Sequence, residues 1–371
     1  MVSRLNDIRN MDQKRPTMKT IAELAGVSVM TVSRALRNQS VLPKETRARI
    51  QKIAREIGYR PNPMISTLMA QLYGSRTDMQ SPVICYVTAY PESDHWRDLP
   101  YNVTAYQGAS RRAEELGFRL EHFCLTTPGM SYSTANRILK TRGVVGLLLP
   151  PLPVPHPEKV DLNWDLFACA TIGYNLKRPE LHRAMVDHIA LIRLAYRSLW
   201  NLGYRRIGLA LRPDDDNEVD NKWISGFCTE QFYRPACDRV PILLEENWNQ
   251  ANFTKWFLKH PMDAVITLHI EVIDWIKKAG FRIPQDVGVA LQDLSLKTIH
   301  KGLSGVDQRT DLVGEMAFDL VVEQINHNQR GVPKVAKLIM VEGVWVEGEN
   351  VRQLSPETAK ARATRGRSKR P

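Results

Sequence analysis

Apolar residues recur along this chain with two different rhythms. Between Ile21 and Arg37 they return every three or four residues, as on a helix, and do so in two short runs. Ile21, Ala22, Leu24 and Ala25 form one apolar stripe, and Val27, Val32, Ala35 and Leu36 form another. Thr17 stands at the N-cap position of the first run. Gly26 sits where that helix must end as a left-handed C-cap, and Ser28 follows as the N-cap of the second. Such a joint predicts a helix-turn-helix hairpin sharing one small core. After a loop from Asn38 to Leu42, Pro43 opens a third helix reaching to about Gly58, with Ile50, Ile53, Ala54 and Ile57 facing the first two.

Pro61 then holds the chain extended, and Asn62 with Pro63 caps a short helix that is apolar on several sides through Met64, Ile65, Leu68 and Met69. Too short to be stable alone, it needs a partner. It either docks as a linker on the body or pairs with its copy from a second subunit.

From Pro82 the rhythm changes. Apolar strand-like runs (83–88, 118–125, 144–149, 167–173, 206–211, 264–268, 287–291) alternate with helical patterns (101–116, 133–141, 189–202, 223–233, 252–260, 271–279). Strands alternating with helices predict parallel, doubly wound sheets, and some 270 residues suffice for two. The expected organisation is a disordered extension over 1–16, a helical head over 17–60, a hinge helix and linker over 61–81, a two-lobed α/β core over 82–354, and a basic disordered tail over 355–371.

Charge sharpens this division. The net charge of +11 over 371 residues is uneven: residues 1–75 hold 13 Lys+Arg against 5 Asp+Glu, the tail 6 against 1, and the stretch between 32 against 34. A cationic head on a near-neutral body is the mark of a polyanion-binding module joined to a separate domain. The face of the second helix that has no core to join carries Val29, Met30, Ser33 and Arg34, flanked by Thr31 and Arg37. That mixture suits a helix entering the DNA major groove, with hydroxyls for phosphate and an arginine for a guanine edge; an ordinary solvated helix face is the competing reading.

No membrane-length apolar run or signal-peptide core is present, which predicts a cytoplasmic protein. Five scattered cysteines without Cys-x-x-Cys predict reduced thiols. Neither a Gly-x-Ser-x-Gly, nor a phosphate loop, nor a His-Glu-x-x-His occurs, so no enzyme, cofactor or metal is expected. The run Asp214-Asp215-Asp216-Asn217-Glu218 lacks the glycine and spacing of a calcium loop and is expected to be a solvated surface loop.

The ordered segments AGVS, TVSRAL, ETRARI and GYRPN resemble the DNA-binding head and hinge of the LacI/GalR family of bacterial transcription regulators. LGYRRIGLAL, GVDQ and GVWVEGENVR extend the resemblance to that family's effector core, a fold of periplasmic-binding-protein type. The resemblance implies a homodimeric regulator, acting as a repressor, on a near-palindromic double-stranded operator. Its affinity would be controlled by a small molecule, a sugar or related metabolite, between the lobes. It places Val29, Met30 and Arg34 at base-reading positions, Thr17, Ser28, Thr31, Ser33 and Asn62 at phosphates, with Arg37 and Tyr59 as further contacts. Leu68 would wedge into the central base step. Lobe crossings would fall near Gly173, Ser304 and Gly331.

Ligands of open α/β sheets bind beyond the carboxyl ends of the strands, which singles out Tyr90, Trp96, Tyr174, Trp223, His269 and Asp293. Trp96 and Trp223 are expected to stack on a ligand face or to pack locally, and Asp293 to accept hydroxyls. The chain departs from the family where Trp223 replaces a usual arginine and His269-Ile270 a usual Asn-Asp pair. Two other readings remain: a solute-binding protein serving a transporter, against which the cationic head argues, and an enzyme with a DNA-binding appendage.

Overall fold

A computed structural model describes residues 16–36, 42–57, 59, 81–90, 94–153, 160–294 and 301–355. The expected hinge helix with Asn62 and Leu68, Arg37, and the basic tail from residue 356 lie outside these residues. The chain divides into two compact units, Met1–Ser81 with Val322–Arg330, and Pro82–Val321 with Gly331–Pro371.

In the first unit, α1 (Met18–Ala25), α2 (Val29–Leu36) and α3 (Lys44–Glu56) form the head. Thr17 and Thr20 cap α1 reciprocally, each side-chain oxygen accepting the other's backbone N–H at 3.3 Å. Gly26 ends α1 at φ 65°, a conformation that costs glycine nothing and a residue with a Cβ about 1 kcal/mol or more. Ser28 Oγ then accepts the Thr31 N–H at 3.1 Å and starts α2. Ile21, Val32, Ala35 and Ile50 are fully buried, with Ala22, Ala25 and Ala54 around them. Leu24 is 38% exposed and does not join this core, because it lies on the flank of the stripe rather than its centre. Two side chains of α3 close orphan carbonyls at the ends of the other helices: Arg49 donates to Ala25 O at 3.1 Å and Gln51 to Ala35 O at 3.0 Å.

The second unit runs β1 (Val83–Thr88), α4 (Pro100–Glu115), β2 (Arg119–Cys124), α5 (Tyr132–Thr141), β3 (Gly146–Leu149), β4 (Ala168–Ile172) and β5 (His182–Val186). It continues through α6 (His188–Asn201), β6 (Ile207–Leu211), α7 (Pro213–Asn217), α8 (Lys222–Phe232), β7 (Leu243–Leu244), α9 (Gln250–Lys259), β8 (Ala264–Thr267), α10 (Glu271–Lys278), β9 (Gly288–Leu291) and β10 (Gly305–Asp307). Then come α11 (Thr310–Asn326), β11 (Leu338–Val341) and β12 (Val344–Val346). One sheet has the order β11-β5-β4-β3-β1-β2 and the other β12-β10-β9-β8-β6-β7, parallel throughout except for β12. The strands VICYVT, GLLL, IGLAL and AVIT are buried along their whole length, as parallel strands covered by helices on both faces must be.

The chain crosses between lobes after Val186, at Gln308–Arg309 and at Glu342–Gly343, not near Gly173, Ser304 and Gly331 as expected. The cause is that β5, then β10, then α11 with β11, none of which the apolar rhythm disclosed, precede the three crossings in turn. Two glycines let α4 and α11 meet backbone to backbone: a Cβ on Gly108 would lie 1.9 Å from Asp311 O, and one on Gly314 2.0 Å from Ala105 O. All five cysteines are free thiols. Among the described residues no helix is long and apolar enough to cross a membrane.

Candidate functional site

In the head, the start of α2 stands proud of the core. Val29 is 44% and Met30 63% exposed, so both are open to a partner. They follow the exposed Ser28, and Thr31 is half-buried beside them. Thr17, at the cap of α1, is also exposed. The four free N–H groups at a helix start carry partial positive charge, so the N-termini of α1 and α2 suit phosphate oxygens. The side chains of Ser33 and Arg34 lie outside the described residues, as does all of Arg37. Tyr59 is half-buried against the head core, and its N–H donates to Ala54 O at 2.9 Å, closing the C-terminus of α3.

In the core, each sheet reverses its strand order once, between β1 and β3 in the first lobe and between β6 and β8 in the second. Crevices for ligands form at the carboxyl ends of strands flanking such switch points. Four of the expected residues lie just past strand ends there or on the adjoining strands: Tyr90 after β1, Tyr174 after β4, His269 after β8 and Asp293 after β9.

Packing separates these residues into two groups. Trp96 is 1% exposed and enclosed by Tyr86, Tyr106 and His122 at ring separations of 5.1–5.4 Å, with the Arg97 guanidinium 4.8 Å over its ring. Trp223 is 2% exposed, edge-on to His188 at 4.6 Å, and its backbone N–H donates to Asp216. Both tryptophans therefore pack locally, the second of the two expected outcomes, and neither offers a free ring face. Tyr90 is 5% exposed, and its hydroxyl is spoken for: it donates to Pro151 O at 3.0 Å and accepts from Asn102 at 2.9 Å. That bond braces the β1 and β3 loops against α4.

Tyr174, His269 and Asp293 remain partly open. Lys222 Nζ lies 4.3 Å over the Tyr174 ring, and burial followed by the Asp187 charge pushes this phenol up to about 12. Next to it, burial and the Lys222 charge lower the His188 imidazole to about 3, so it is neutral at physiological pH. His269 Nε2–H donates to Asp215 at 2.6 Å, and Arg212 reaches the same carboxylate at 2.7 Å. Burial would raise the Asp215 proton affinity, but these hydrogen bonds outweigh it and hold the carboxyl below its ordinary range.

The acidic run is not a loop but the short helix α7 and its cap, with Asp214, Asn217 and Glu218 exposed and the other two carboxylates engaged. Asp215 ties His269 to Arg212, and Asp216 caps α8 through the N–H groups of Trp223 and Ile224. Among the described residues no group of three His, Cys, Asp or Glu could hold a metal.

Asp293 opens on a cavity of about 260 Å³ that also touches Tyr101, Thr104, Gln107 and Arg111 of α4, and Asp307 and Thr310 where the chain recrosses. Burial and then Asp307 push the Asp293 carboxyl up to about 6. Burial and Asp293 in turn raise the Tyr101 phenol. Tyr101 reads in the sequence only as the first turn of a helix, and Asp307, part of the GVDQ segment, is marked as cavity lining only by the fold.

Comparison with known proteins agrees with this division of labour. Residues 17–62 match the model of bacterial regulatory proteins of the lacI family, and residues 196–344 match that of the periplasmic binding protein-like domain. The HTH-type transcriptional regulator CelR of Thermobifida fusca is 25% identical over 337 residues, 84% of this chain and 93% of that protein. Among solved structures, a transcriptional regulator CelR–cellobiose complex aligns with a TM-score of 0.53 at 20% identity, covering 91% of this chain and 100% of that one. The lac repressor dimer bound to operator and the anti-inducer ONPF aligns with a TM-score of 0.52 at 19% identity, with the same coverage.

Proposed function

Because this chain belongs to the LacI family of bacterial regulatory proteins, we propose that it binds a near-palindromic operator as a cytoplasmic homodimer. A sugar or related metabolite, held in the cleft between the two lobes of its core, sets the strength of that binding, and the bound dimer represses. The observation that carries the reading is the pairing, in one chain, of a capped three-helix head exposing Val29 and Met30 with a two-lobed core that has a ligand-sized cleft.

In this reading Val29 and Met30 press on thymine methyls and Arg34 reads a guanine edge. Thr17, Ser28, Thr31, Ser33, Arg37, Tyr59 and Asn62 hold the backbone, and Leu68 wedges the central step. Two relatives of similar fold carry a small molecule in their solved complexes, cellobiose with CelR and ONPF with the lac repressor, and the second also carries operator. Control follows from linkage: a ligand shifts DNA affinity only by as much as it prefers one lobe arrangement over the other.

The test is to sequence the duplexes retained by the purified full-length protein at physiological salt, then repeat a gel shift with and without candidate sugars. A near-palindromic consensus whose retention responds to one ligand class is expected. Equal retention of all duplexes would overturn the reading.

A further inference from the structure

We propose that the small molecule taken by the cleft carries a protonated amino group, seated between the carboxylates of Asp293 and Asp307. The inference rests on the reading of this cleft as the regulatory site and narrows the class of its ligand.

Strands β9 and β10 are parallel, with Gly305 opposite Leu291. Past that pair the strands fall out of step, since the Leu294 N–H donates to Val306 O, and Asp293 follows the end of β9 while Asp307 ends β10. Both line the same cavity. Two carboxylates on one cavity repel each other, and a positive charge between them relieves that repulsion. None is supplied from the described residues. Arg111, the one cation lining the cavity, donates instead to Asp311 at 3.1 Å and Glu315 at 2.6 Å. Asp307 accepts only the Arg309 backbone N–H, at 2.8 Å. No hydrogen bond from the described residues reaches the Asp293 side chain.

The rest of the lining is Asp311, which Arg111 engages, the apolar Pro100 and Leu294, and four uncharged polar side chains. Tyr101, Thr104, Gln107 and Thr310 are uncharged hydrogen-bonding groups, suited to the hydroxyls of a polar ligand, and the Tyr101 ring gives a cation a second favourable surface. A volume of about 260 Å³ falls just below the roughly 300 Å³ at which pockets for drug-sized ligands start, so it suits only a small ligand. A neutral polyol would satisfy the hydrogen bonds and leave two adjacent negative charges uncompensated. An amino sugar or amino polyol satisfies both demands.

The experiment uses full-length protein at neutral pH and matched pairs of probes: glucosamine with glucose, galactosamine with galactose, glucamine with glucitol, and putrescine with 1,4-butanediol. Binding is read by calorimetry. In at least one pair the amine should bind tenfold or more tightly than its neutral partner. Asp307→Asn, which keeps the acceptor for Arg309, should reduce that preference below threefold, while Asp307→Glu, which keeps the charge, should retain it. Circular dichroism checks that each variant folds. The proposal falls if no amine binds, if neutral partners bind as well, if the preference survives Asp307→Asn, or if magnesium or calcium chloride alone gives the signal. A gel shift on the same preparation separates the two readings. Operator binding that responds to a neutral sugar would refute the amine and spare the regulator, whereas the absence of any preferred duplex would remove the regulator itself.

Discussion

Replacing Asp293 by Asn should make the ligand-free core more stable at pH 7.5, by an amount the site itself bounds. Burial and the neighbouring Asp307 move this carboxyl from its ordinary 3.8 to about 6 in the folded chain. A folded value above the unfolded one means that the native state holds the proton more tightly. The group therefore costs nothing below the unfolded value, its cost grows as pH rises between the two, and it is complete above the folded one. Each unit is worth about 1.4 kcal/mol, so the full cost has an upper bound of about 3 kcal/mol near neutrality and about half that at pH 5. Asparagine has the same shape and no charge, so it removes this cost. At about 2–4 °C per kcal/mol for a domain of this size, the variant should melt several degrees higher. Differential scanning calorimetry at pH 7.5 and pH 5, without ligand, reads both numbers. A variant no more stable than the parent at pH 7.5, or a gain that does not shrink at pH 5, would falsify the account of Asp293 as a desolvated, unneutralised carboxylate.

Three further outcomes are expected. Thr17→Ala removes one half of a reciprocal cap and should cost the head about 1 kcal/mol, seen as earlier melting of a head fragment's helical signal, with Thr17→Ser close to the parent. Gly314→Ala puts a methyl 2.0 Å from Ala105 O, so the helices must part; a loss of about 1–3 kcal/mol by chemical denaturation is expected, and a neutral result would mean that α4 and α11 are not in backbone contact. Arg34→Ala should cost about 1–3 kcal/mol of operator affinity and relax one base position, whereas Arg37→Ala should weaken all duplexes alike; equal losses for every sequence in both variants would withdraw the base-reading role of Arg34.

Much of this architecture is legible in the order of residues because burial and local chemistry agree. The caps at Thr17, Gly26 and Ser28 use short-range hydrogen bonds that any sequence window contains, and the two-sided strands read as unbroken apolar runs. Strand β5, HRAMV, escaped notice because it carries a histidine and an arginine, yet it is wholly buried. Arg183 is accommodated there by the carbonyls of Gly173 and Leu176, partners that only folding supplies. Strands β5 and β10 and the α11–β11 segment, none of them an apolar run, shift the expected lobe crossings. The cleft was legible to the level of strand ends and no further. Whether a tryptophan beyond a strand faces a ligand or its neighbours depends on long-range packing, as the enclosure of Trp96 and Trp223 shows, and only the fold brings Asp293 and Asp307 onto one cavity.

The meeting of α4 and α11 through Gly108 and Gly314 has a mechanical consequence. Where main chain rests on main chain there are no rotamers to yield, so that joint behaves as a weld. Flexing is left to the three strands of chain that bridge the lobes, and one of them, at Arg309, already holds a non-glycine residue at φ 52°. A stiff arm with a pre-bent pivot turns a small displacement at one end into a larger one at the other.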